Sequence, residues 1–465
     1  MVACHKYGTA FHPMVSFTNF STFRRKHLNL RMASSGLATG LAAVLLCSAM
    51  APVSALTETR PSLVLEAKPV QTAGGDLYTF YANRHLQPLW FDGQAQISPA
   101  AISLISLFDS AQLDGISGSQ LQTSSVKAAV DQALVSKAPG DITKAELALS
   151  RTFIDYVQAL RSNADRSMIY EHDQLKPRQV NAFFLLNEAA KATSPQAYIS
   201  DMKWMHPLYA SVRRSVTSQS LVGAARQSAL ANLARLRSIP NNKPKHVLVD
   251  VASARLWMYE GDRVVDSMRV VVGKSTSPTP LMAGYIRYAI QNPYWNVPPE
   301  MVGRNIASNV LSRGVPYLKT AGYEVLSDWG KNPSVVDPQS VDWKAVASGK
   351  VDLRVRQLPG PRNSMGKVKY EFPNPQGIYL HDTPQKELMQ KTARQLSGGC
   401  IRLEDADRLG RWLMGGAMPA NVSGPEVRKD LPVPIPIFIT YMTVDPQQTS
   451  NLALVDPYKL DAPRS

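Results

Sequence analysis

The sequence contains little cysteine. Only three of its 465 residues are Cys, and two of them, Cys4 and Cys47, fall within the first 55 positions. The remainder keeps one thiol, Cys400, which cannot form an internal disulfide and is at risk of oxidation in an oxidising compartment. We interpret Cys400 as a candidate nucleophile. The alternative is a small buried apolar side chain, the commoner role of a free cysteine.

Long apolar runs are absent after residue 55, so we predict no later membrane span. Residues 1–55 have the layout of a targeting segment: basic residues at 24–31, a small and apolar stretch at 36–46, and Val53-Ser54-Ala55 as a cleavage site. We predict a signal peptide or an uncleaved N-terminal membrane anchor there, and hence an exported protein of the periplasm or cell envelope. Cys47 leaves lipidation open, although Leu46 is not the small residue that precedes a lipidated cysteine.

Acidic residues are outnumbered by basic ones. The chain has 51 Lys and Arg against 36 Asp and Glu; residues 1–55 hold five of the basic and none of the acidic residues, so the rest carries a net charge of +10. A basic surface suits nucleic acid, anionic lipid or an acidic polymer. Export and the lack of a Lys/Arg run argue against nucleic acid. An acidic cell-wall polymer fits best, and a generically basic surface is the alternative.

Clustered metal ligands are also missing. One Cys and five His remain after residue 55, without the grouped spacing that zinc requires. We therefore predict no metal and no cofactor. Internal repeats and low-complexity tracts are absent too, and residues 56–465 are long enough for two or three domains, each with its own core.

Residues 56–240 predict a helical domain. Leu149, Phe153, Val157 and Leu160 recur at the spacing of one apolar helix face. Five aromatic residues between positions 78 and 91 form either part of the core, which is the commoner case, or a sugar-stacking surface.

Residues 241–445 predict a mainly β domain of an α+β protein. Apolar runs indicate strands near 247–251, 255–259, 268–272, 286–290, 377–381 and 437–443, with Gly261-Asp262 as a hairpin turn. The segment 292–374, rich in Pro, Gly and Asn, is long for a connection, and such segments are functional or substructured. Residues 446–465 are predicted to be a C-terminal tail.

His381 lies shortly before Cys400. Thiolate is the reactive form of cysteine, and a neighbouring imidazole makes it available near neutral pH. His381 ends a predicted strand, and Thr383 with Pro384 predicts the start of a helix over about 384–395. This helix would return the chain so that His381 and Cys400 lie within hydrogen-bond reach.

The residues around Cys400 fit a nucleophile loop. Gly398 and Gly399 let the backbone turn tightly, and their N–H groups, with that of Cys400, are candidates for an oxyanion hole. Arg402 could bind a carboxylate or brace the loop. The structural alternatives are a hydrogen-bonded core histidine at position 381 and a salt-bridge arginine at 402.

Motifs in order along the chain carry a family resemblance. They are YLHDTP at 379–384, SGGCIR at 397–402, NPYWNVP at 292–298, RQLPGP at 356–361, NSMGKVK at 363–369 and FPN at 372–374. Together they resemble the L,D-transpeptidase (YkuD) domain, most closely its YcbB-type subgroup. A weaker resemblance covers residues 57–240, where FY at 80–81 and QPLWF at 87–91 are similar to the start of a helical scaffold.

The resemblance implies peptidoglycan cross-linking. Cys400 would attack the third residue of a donor tetrapeptide stem, with His381 as base, and D-alanine would leave. An amine of a second stem, or of a lipoprotein, would then resolve the thioester; with a second stem the product is a 3-3 link.

Further roles are implied by the same resemblance. The oxyanion would be held by the backbone around Ser397, Gly398 and Gly399. Residues implied to contact the substrate or line its cleft are Arg402, Tyr379 and Trp295. The implied fold is a helical scaffold followed by a β-sandwich catalytic domain with a capping insertion at about 296–370.

Two departures from the family pattern stand out. Gly398 occupies a position where the commoner pattern has His, although the subgroup tolerates a small residue there. A peptidoglycan-binding helical module, present in many relatives, is not recognisable between residues 173 and 240. Substrate docking would then depend on the scaffold and the basic surface.

Two other functions compete with this one. A Cys-His cell-wall peptidase would pass the acyl group to water, but in papain-like enzymes the Cys precedes the His, the reverse of the order here. A non-catalytic wall-binding protein is the second alternative, and the presence of both Cys400 and His381 argues against it.

Overall fold

A computed structural model describes residues 63–66, 75–162, 164–165, 167–218, 221–241, 243–330, 332–418, 422–444 and 456–461. The predicted targeting segment 1–55 lies outside these residues, as does most of the predicted tail. No helix within the described ranges is long and apolar enough to cross a membrane.

A helical region comes first, as predicted. Its helices are α1 (Gly75–Asn83), α2 (Pro99–Asp109), α3 (Thr123–Ser136), α4 (Pro139–Ser162), α5 (Ala182–Lys191), α6 (Pro195–Ser200), α7 (Pro207–Ser218) and α8 (Gly223–Leu236). Helix α4 carries the predicted apolar face, whose four residues are fully buried. The aromatic cluster is core, except that Tyr78 is 55% exposed.

A buried polar cluster ties this region together. We call Asp114, Tyr156, Tyr209 and Arg213 the Asp114 cluster. The Asp114 carboxylate accepts hydrogen bonds from the hydroxyls of Tyr156 at 2.7 Å and Tyr209 at 2.6 Å. Arg213 donates to it from Nε at 3.1 Å and from Nη2 at 3.0 Å. The cluster joins the turn at 111–114 to α4 and α7.

The β region follows. The strands are β1 (Ile169–Tyr170), β2 (Lys245–Asp250), β3 (Arg255–Glu260), β4 (Arg263–Gly273), β5 (Met282–Gln291), β6 (Trp295–Val297), β7 (Tyr323–Leu326), β8 (Arg354–Gln357), β9 (Val368–Glu371), β10 (Leu380–His381), β11 (Gln395–Ser397), β12 (Ile401–Leu403) and β13 (Val427–Thr440). Six of them contain or overlap the predicted runs, and Gly261 turns between β3 and β4 with φ +59°.

The main sheet has the strand order β1-β5-β13-β2-β3-β4-β12-β10-β9, with β11 on β4. Because β9 also pairs with β5, the hydrogen-bonded circuit closes on itself. The inner face of this closed sheet encloses one apolar core. Helix α13 (Ala406–Met414) packs against the sheet.

The long segment after β5 is substructured, as predicted. Strands β6, β8 and β7 form a separate three-stranded sheet, and α9 (Pro299–Met301), α10 (Ser308–Arg313), α11 (Pro316–Ala321) and α12 (Trp343–Ala347) belong to the same segment. Val297, Ile306, Trp343 and Val355 lie in a core of its own. At its base, the side-chain amide of Asn363 donates to the carbonyl oxygens of Pro293, Gln357 and Leu358.

The helical and β regions share packing. Phe438 of β13 and Trp257 of β3 lie in the same buried cluster as the helices. Strand β1 pairs with β5 in parallel. The amide of Asn232 on α8 donates to the hydroxyl of Thr443 at 2.7 Å, and its oxygen accepts from the Thr443 N–H.

Candidate active site

His381 and Cys400 lie on neighbouring parallel strands. Strand β10 pairs with β12 so that Leu380 faces Ile401 and His381 faces Arg402. Leu380 and Ile401 are fully buried in the β core. Since side chains alternate along a strand, His381 and Arg402 lie on the other face, with Cys400 just before β12.

His381 is held in one orientation. Its Nδ1 lies 2.6 Å from the carbonyl oxygen of Asp382, which can only accept, so Nδ1 carries the proton and Nε2 keeps its lone pair. The ring is 4% exposed. Burial, followed by the charge of Arg402, lowers the pKa of His381 to about 3. At neutral pH the imidazole is therefore neutral and can accept a proton.

Cys400 is half-buried, lies at the end of the glycine run and forms no disulfide with any residue that the structure describes. Its Sγ lies 3.7 Å from the carbonyl oxygen of Gly377, in the segment that leads into β10. The Ile401 N–H donates to the carbonyl of Tyr379 at 3.0 Å, which places Cys400 beside the strand that carries His381. A thiol that is partly exposed can meet a substrate from solution.

Ser397 braces the loop from within. Its hydroxyl donates to the carbonyl of Cys400 at 2.6 Å and accepts from the N–H of Gly399 at 3.1 Å. The Gly399 N–H, a predicted oxyanion donor, is thus occupied by Ser397. The Gly398 N–H makes no hydrogen bond to any residue that the structure describes, which leaves it available to a ligand.

The two loop glycines differ. Gly399 has φ +127°, a backbone conformation that other residues adopt only with strain. Gly398 has no positive φ, and a Cβ added there would meet nothing within 4 Å. A Cβ at position 398 is therefore sterically acceptable.

Arg402 is partly buried beneath the site. Its Nη1 donates to the side-chain oxygen of Gln385 at 2.8 Å. Its Nε is buried and without a partner among the described residues, and burial lowers the pKa of the guanidinium. The Gln385 contact braces the segment between β10 and β12, while Nε retains one unused donor.

The predicted helix over 384–395 is wrong. Only one 3₁₀ turn forms there, Lys386–Gln390, and the chain then becomes strand β11. The side chains of Arg394 and Gln395 donate to backbone carbonyls at 251–254, which holds this stretch extended against β4. These long-range bonds override the local capping signal.

The two predicted aromatic residues lie in different places. Tyr379 contacts the His381 ring with centroids 5.9 Å apart, and Lys369 lies 5.7 Å from the Tyr379 ring. Trp295 pairs with Gln357 in β6 and packs on the core of the insertion. The structure therefore groups Tyr379 with the site and Trp295 with the insertion.

Two residues at the site have no local sequence signal. Thr279 donates from Oγ1 to the carbonyl of Gly399 at 2.6 Å, and Tyr458 contacts Thr279. Neither belongs to a recognisable motif. Among the described residues, no group of three or more His, Cys, Asp or Glu is arranged to hold a metal ion.

The chain matches two known family models and is similar to one curated protein. Residues 244–435 match the model of the YkuD family, the L,D-transpeptidase catalytic domain, and residues 75–215 match that of the Scaffold domain. A Haemophilus influenzae protein described as "Putative L,D-transpeptidase" is 28% identical over 400 residues, which are 83% of this chain and 78% of that protein.

Similar solved structures are L,D-transpeptidases as well. One from Mycobacterium smegmatis is 13% identical, with TM-score 0.22, over 42% of this chain and 58% of that one. The catalytic domain from Enterococcus faecium is 14% identical, with TM-score 0.19, over 42% of this chain and 95% of that one.

Proposed function

Because this chain belongs to the L,D-transpeptidase (YkuD) family, which cross-links peptidoglycan, and also has the family's Scaffold domain, we propose that it forms 3-3 links between stem peptides through a cysteine thioester. The donor is a tetrapeptide stem, and D-alanine is released from it. The acceptor is the side-chain amine of the third residue of a second stem.

In the first step Cys400 attacks the carbonyl carbon of the donor's third residue. His381 Nε2 takes the thiol proton, a C–S bond forms, and the negative charge moves to the carbonyl oxygen. Collapse of this intermediate breaks the C–N bond to D-alanine, and the proton on His381 passes to the leaving amine. The product is a thioester on Cys400 and free D-alanine.

In the second step the acceptor amine attacks the thioester. His381 removes a proton from the amine, the C–S bond breaks, and the proton returns to sulfur. One amide bond has been exchanged for another, so no cofactor and no external energy source are needed. Water in place of the amine would give hydrolysis to the tripeptide.

The oxyanion requires donors that are not already used. We assign the Gly398 N–H this role, since the Gly399 N–H is bound to Ser397. Ser397 then acts as a brace and Gly399 as the required turn. Arg402 Nε, buried and unpartnered, is assigned to a carboxylate of the stem.

The observation that carries the proposal is the register of β10 and β12, which sets a neutral, oriented histidine beside a partly exposed cysteine. The net charge of +10 outside residues 1–55 suits an acidic wall polymer. We also propose export to the periplasm or cell envelope, where peptidoglycan lies, with residues 1–55 as signal or anchor.

The test uses the purified protein and its Cys400→Ala variant with a disaccharide-tetrapeptide, and mass spectrometry of the products. We expect a cross-linked dimer that has lost one alanine, and a decrease of at least about 1000-fold in the variant. Tripeptide without dimer would show hydrolysis instead of transpeptidation. Equal product from the variant would overturn the assignment of Cys400.

A further inference from the structure

The peptide unit between Gly399 and Cys400 is held from outside the loop. Thr279, which is 2% exposed, donates from Oγ1 to the Gly399 carbonyl at 2.6 Å and accepts from the Gly273 N–H at 2.9 Å. In a planar trans peptide the C=O and the N–H point in opposite directions. By fixing the Gly399 carbonyl, Thr279 therefore also fixes the direction of the Cys400 N–H, and with it the start of the Cys400 side chain.

Thr279 reaches this position because the β4–β5 connection folds tightly onto the end of β4. A Cβ on Gly273 would lie 2.3 Å from the Ser277 carbonyl oxygen and 2.6 Å from the Thr279 nitrogen. Only glycine permits this approach. The Lys274 N–H also donates to the Ser397 carbonyl at 3.0 Å, so the connection contacts the catalytic loop at two points.

Tyr458, near the C-terminus, fastens this connection. Its hydroxyl accepts from the Thr279 N–H at 3.2 Å and donates to the Gly273 carbonyl. The ring stacks on Tyr441 with centroids 5.5 Å apart and planes 18° apart. The Tyr441 hydroxyl accepts from the Tyr458 N–H at 2.8 Å and donates to Asp456 at 2.5 Å.

The same segment is anchored to the helical region. Asp461 forms an ion pair with Arg235 of α8 at 2.6 Å, with side chains 3% and 6% exposed, and accepts from the hydroxyl of Thr443. Arg235 also donates to the carbonyl of Leu460 at 3.0 Å. A buried, hydrogen-bonded ion pair of this kind fixes geometry strongly, because loss of either partner leaves an unpaired charge. We call residues 456–461 the C-terminal clasp.

We propose that the C-terminal clasp positions the catalytic loop, with Tyr458 acting through Thr279 on the Gly399–Cys400 peptide. Thr279 and Tyr458 are positioning residues, since neither touches the reacting atoms. The proposal rests on the proposed function in that Cys400 is taken as the nucleophile. If the proposal holds, the reactivity of Cys400 depends on the C-terminal clasp, which follows Cys400 by more than fifty positions in the chain. It depends also on the helical region that anchors the clasp.

The test compares Thr279→Val, which replaces the hydroxyl with a methyl group of similar size, and Tyr458→Phe, which removes the hydroxyl. Matched controls are Thr143→Val and Tyr170→Phe, which remove hydroxyls that donate to Pro139 and Ser238 outside the loop. Each variant is assayed for kcat and KM of cross-linking and for the rate of Cys400 alkylation by iodoacetamide between pH 5 and 9. Thermal unfolding separates loss of fold from loss of positioning.

A hydrogen bond contributes roughly 0.5–1.5 kcal/mol, so we expect Thr279→Val and Tyr458→Phe each to lower kcat by about 2- to 10-fold, with KM within about twofold and a shifted alkylation profile. Because both act on one peptide, the double variant should lose less than the product of the single losses. The controls should keep kcat and the alkylation profile of the unchanged protein.

Two outcomes would overturn the proposal that the C-terminal clasp positions the catalytic loop. One is a kcat and alkylation profile equal to those of the controls; the other is a rise in KM with kcat unchanged. If the unchanged protein makes no cross-link, the proposed function fails, yet alkylation of Cys400 still reports whether the clasp sets its reactivity. If cross-linking is normal and the alkylation profiles are all alike, the clasp fails and the function stands.

Discussion

The Asp114 cluster and the Cys400 loop use polar groups in opposite ways. In the helical region, the Asp114 carboxylate accepts hydrogen bonds from two tyrosines and one arginine of the protein itself. In the loop, the buried Arg402 Nε and the N–H of Gly398, an exposed residue, have no protein partner among the described residues, and His381 Nε2 keeps its lone pair. The first arrangement is complete without a ligand, and the second is not.

The difference separates stability from activity. A saturated buried ion pair has nothing left to offer a substrate, and removing one member leaves an uncompensated charge. In the Cys400 loop, the buried Arg402 Nε costs stability until something binds, because a buried donor without a partner has lost its hydration. Substitutions in the Asp114 cluster should therefore mainly lower the free energy of unfolding. Substitutions at the Cys400 site should mainly lower the rate of cross-linking.

The largest effect on activity, relative to the effect on stability, is expected at His381. We predict that His381→Ala lowers kcat/KM by about 100- to 10,000-fold, the usual contribution of a general base. The free energy of unfolding at neutral pH should fall by only a few kcal/mol, from the lost bond to the Asp382 carbonyl, the lost contact with the Tyr379 ring and the cavity left behind. Steady-state kinetics and urea unfolding of the same sample measure both.

The pH dependence sharpens the same prediction. An unfolded His binds a proton below about pH 6.5, but folded His381 does so only below about 3. The unfolded chain thus holds the extra proton between these values, so this group lowers the free energy of unfolding as the pH falls from 6.5 to 3. In activity, kcat/KM should show no acidic limb near pH 6.5 from His381, and such a limb would contradict the lowered pKa.

At Arg213 we expect the opposite result, a large loss of stability with little change in activity. Arg213→Ala leaves Asp114 buried without its cation and should destabilise the protein by about 3–5 kcal/mol. At a temperature where the variant is still folded, kcat should stay within about twofold. Arg214, one position along and 59% exposed, gives the control Arg214→Ala, which should cost less than about 1 kcal/mol. A large drop in kcat with unchanged stability would break the contrast between the two clusters.

The smallest expected effects distinguish the two loop glycines. Gly399→Ala forces a Cβ onto a backbone at φ +127° and should cost about 1–3 kcal/mol, with a parallel loss of kcat. Gly398→Ala should stay within about 0.5 kcal/mol of the unchanged protein, since the space around it is open. Thermal unfolding and cross-linking assays of the pair check this. Equal losses at both positions would mean that the loop tolerates no side chain at all.

Local patterns predicted much of the fold. The face of α4, the hairpin at Gly261 and the strands at the centre of the β region all follow from apolar spacing that neighbouring residues determine. The His381 and Cys400 motifs were recognisable because their chemistry depends on short runs of sequence. Their catalytic roles remain predictions until the kinetics are measured.

Contacts between distant residues could not be predicted in this way. Thr383 and Pro384 signal a helix start, but Arg394 and Gln395 bind carbonyls at 251–254 and hold the chain extended. Thr279 and Tyr458 reach the loop only through the tertiary fold, and no pattern near either residue indicates it. The closure of the sheet through β9 and β5 is likewise a property of the whole domain.

The position of β13 has a consequence for how the protein is made. This strand lies between β2 and β5, in parallel with one and antiparallel with the other, yet it follows both the insertion and the catalytic loop in the chain. Until it emerges during synthesis, β2 and β5 present unpaired edges, and such late, long-range pairing is slow. A chain interrupted before β13 would contain the complete Cys400 motif but could not close the sheet that orients it.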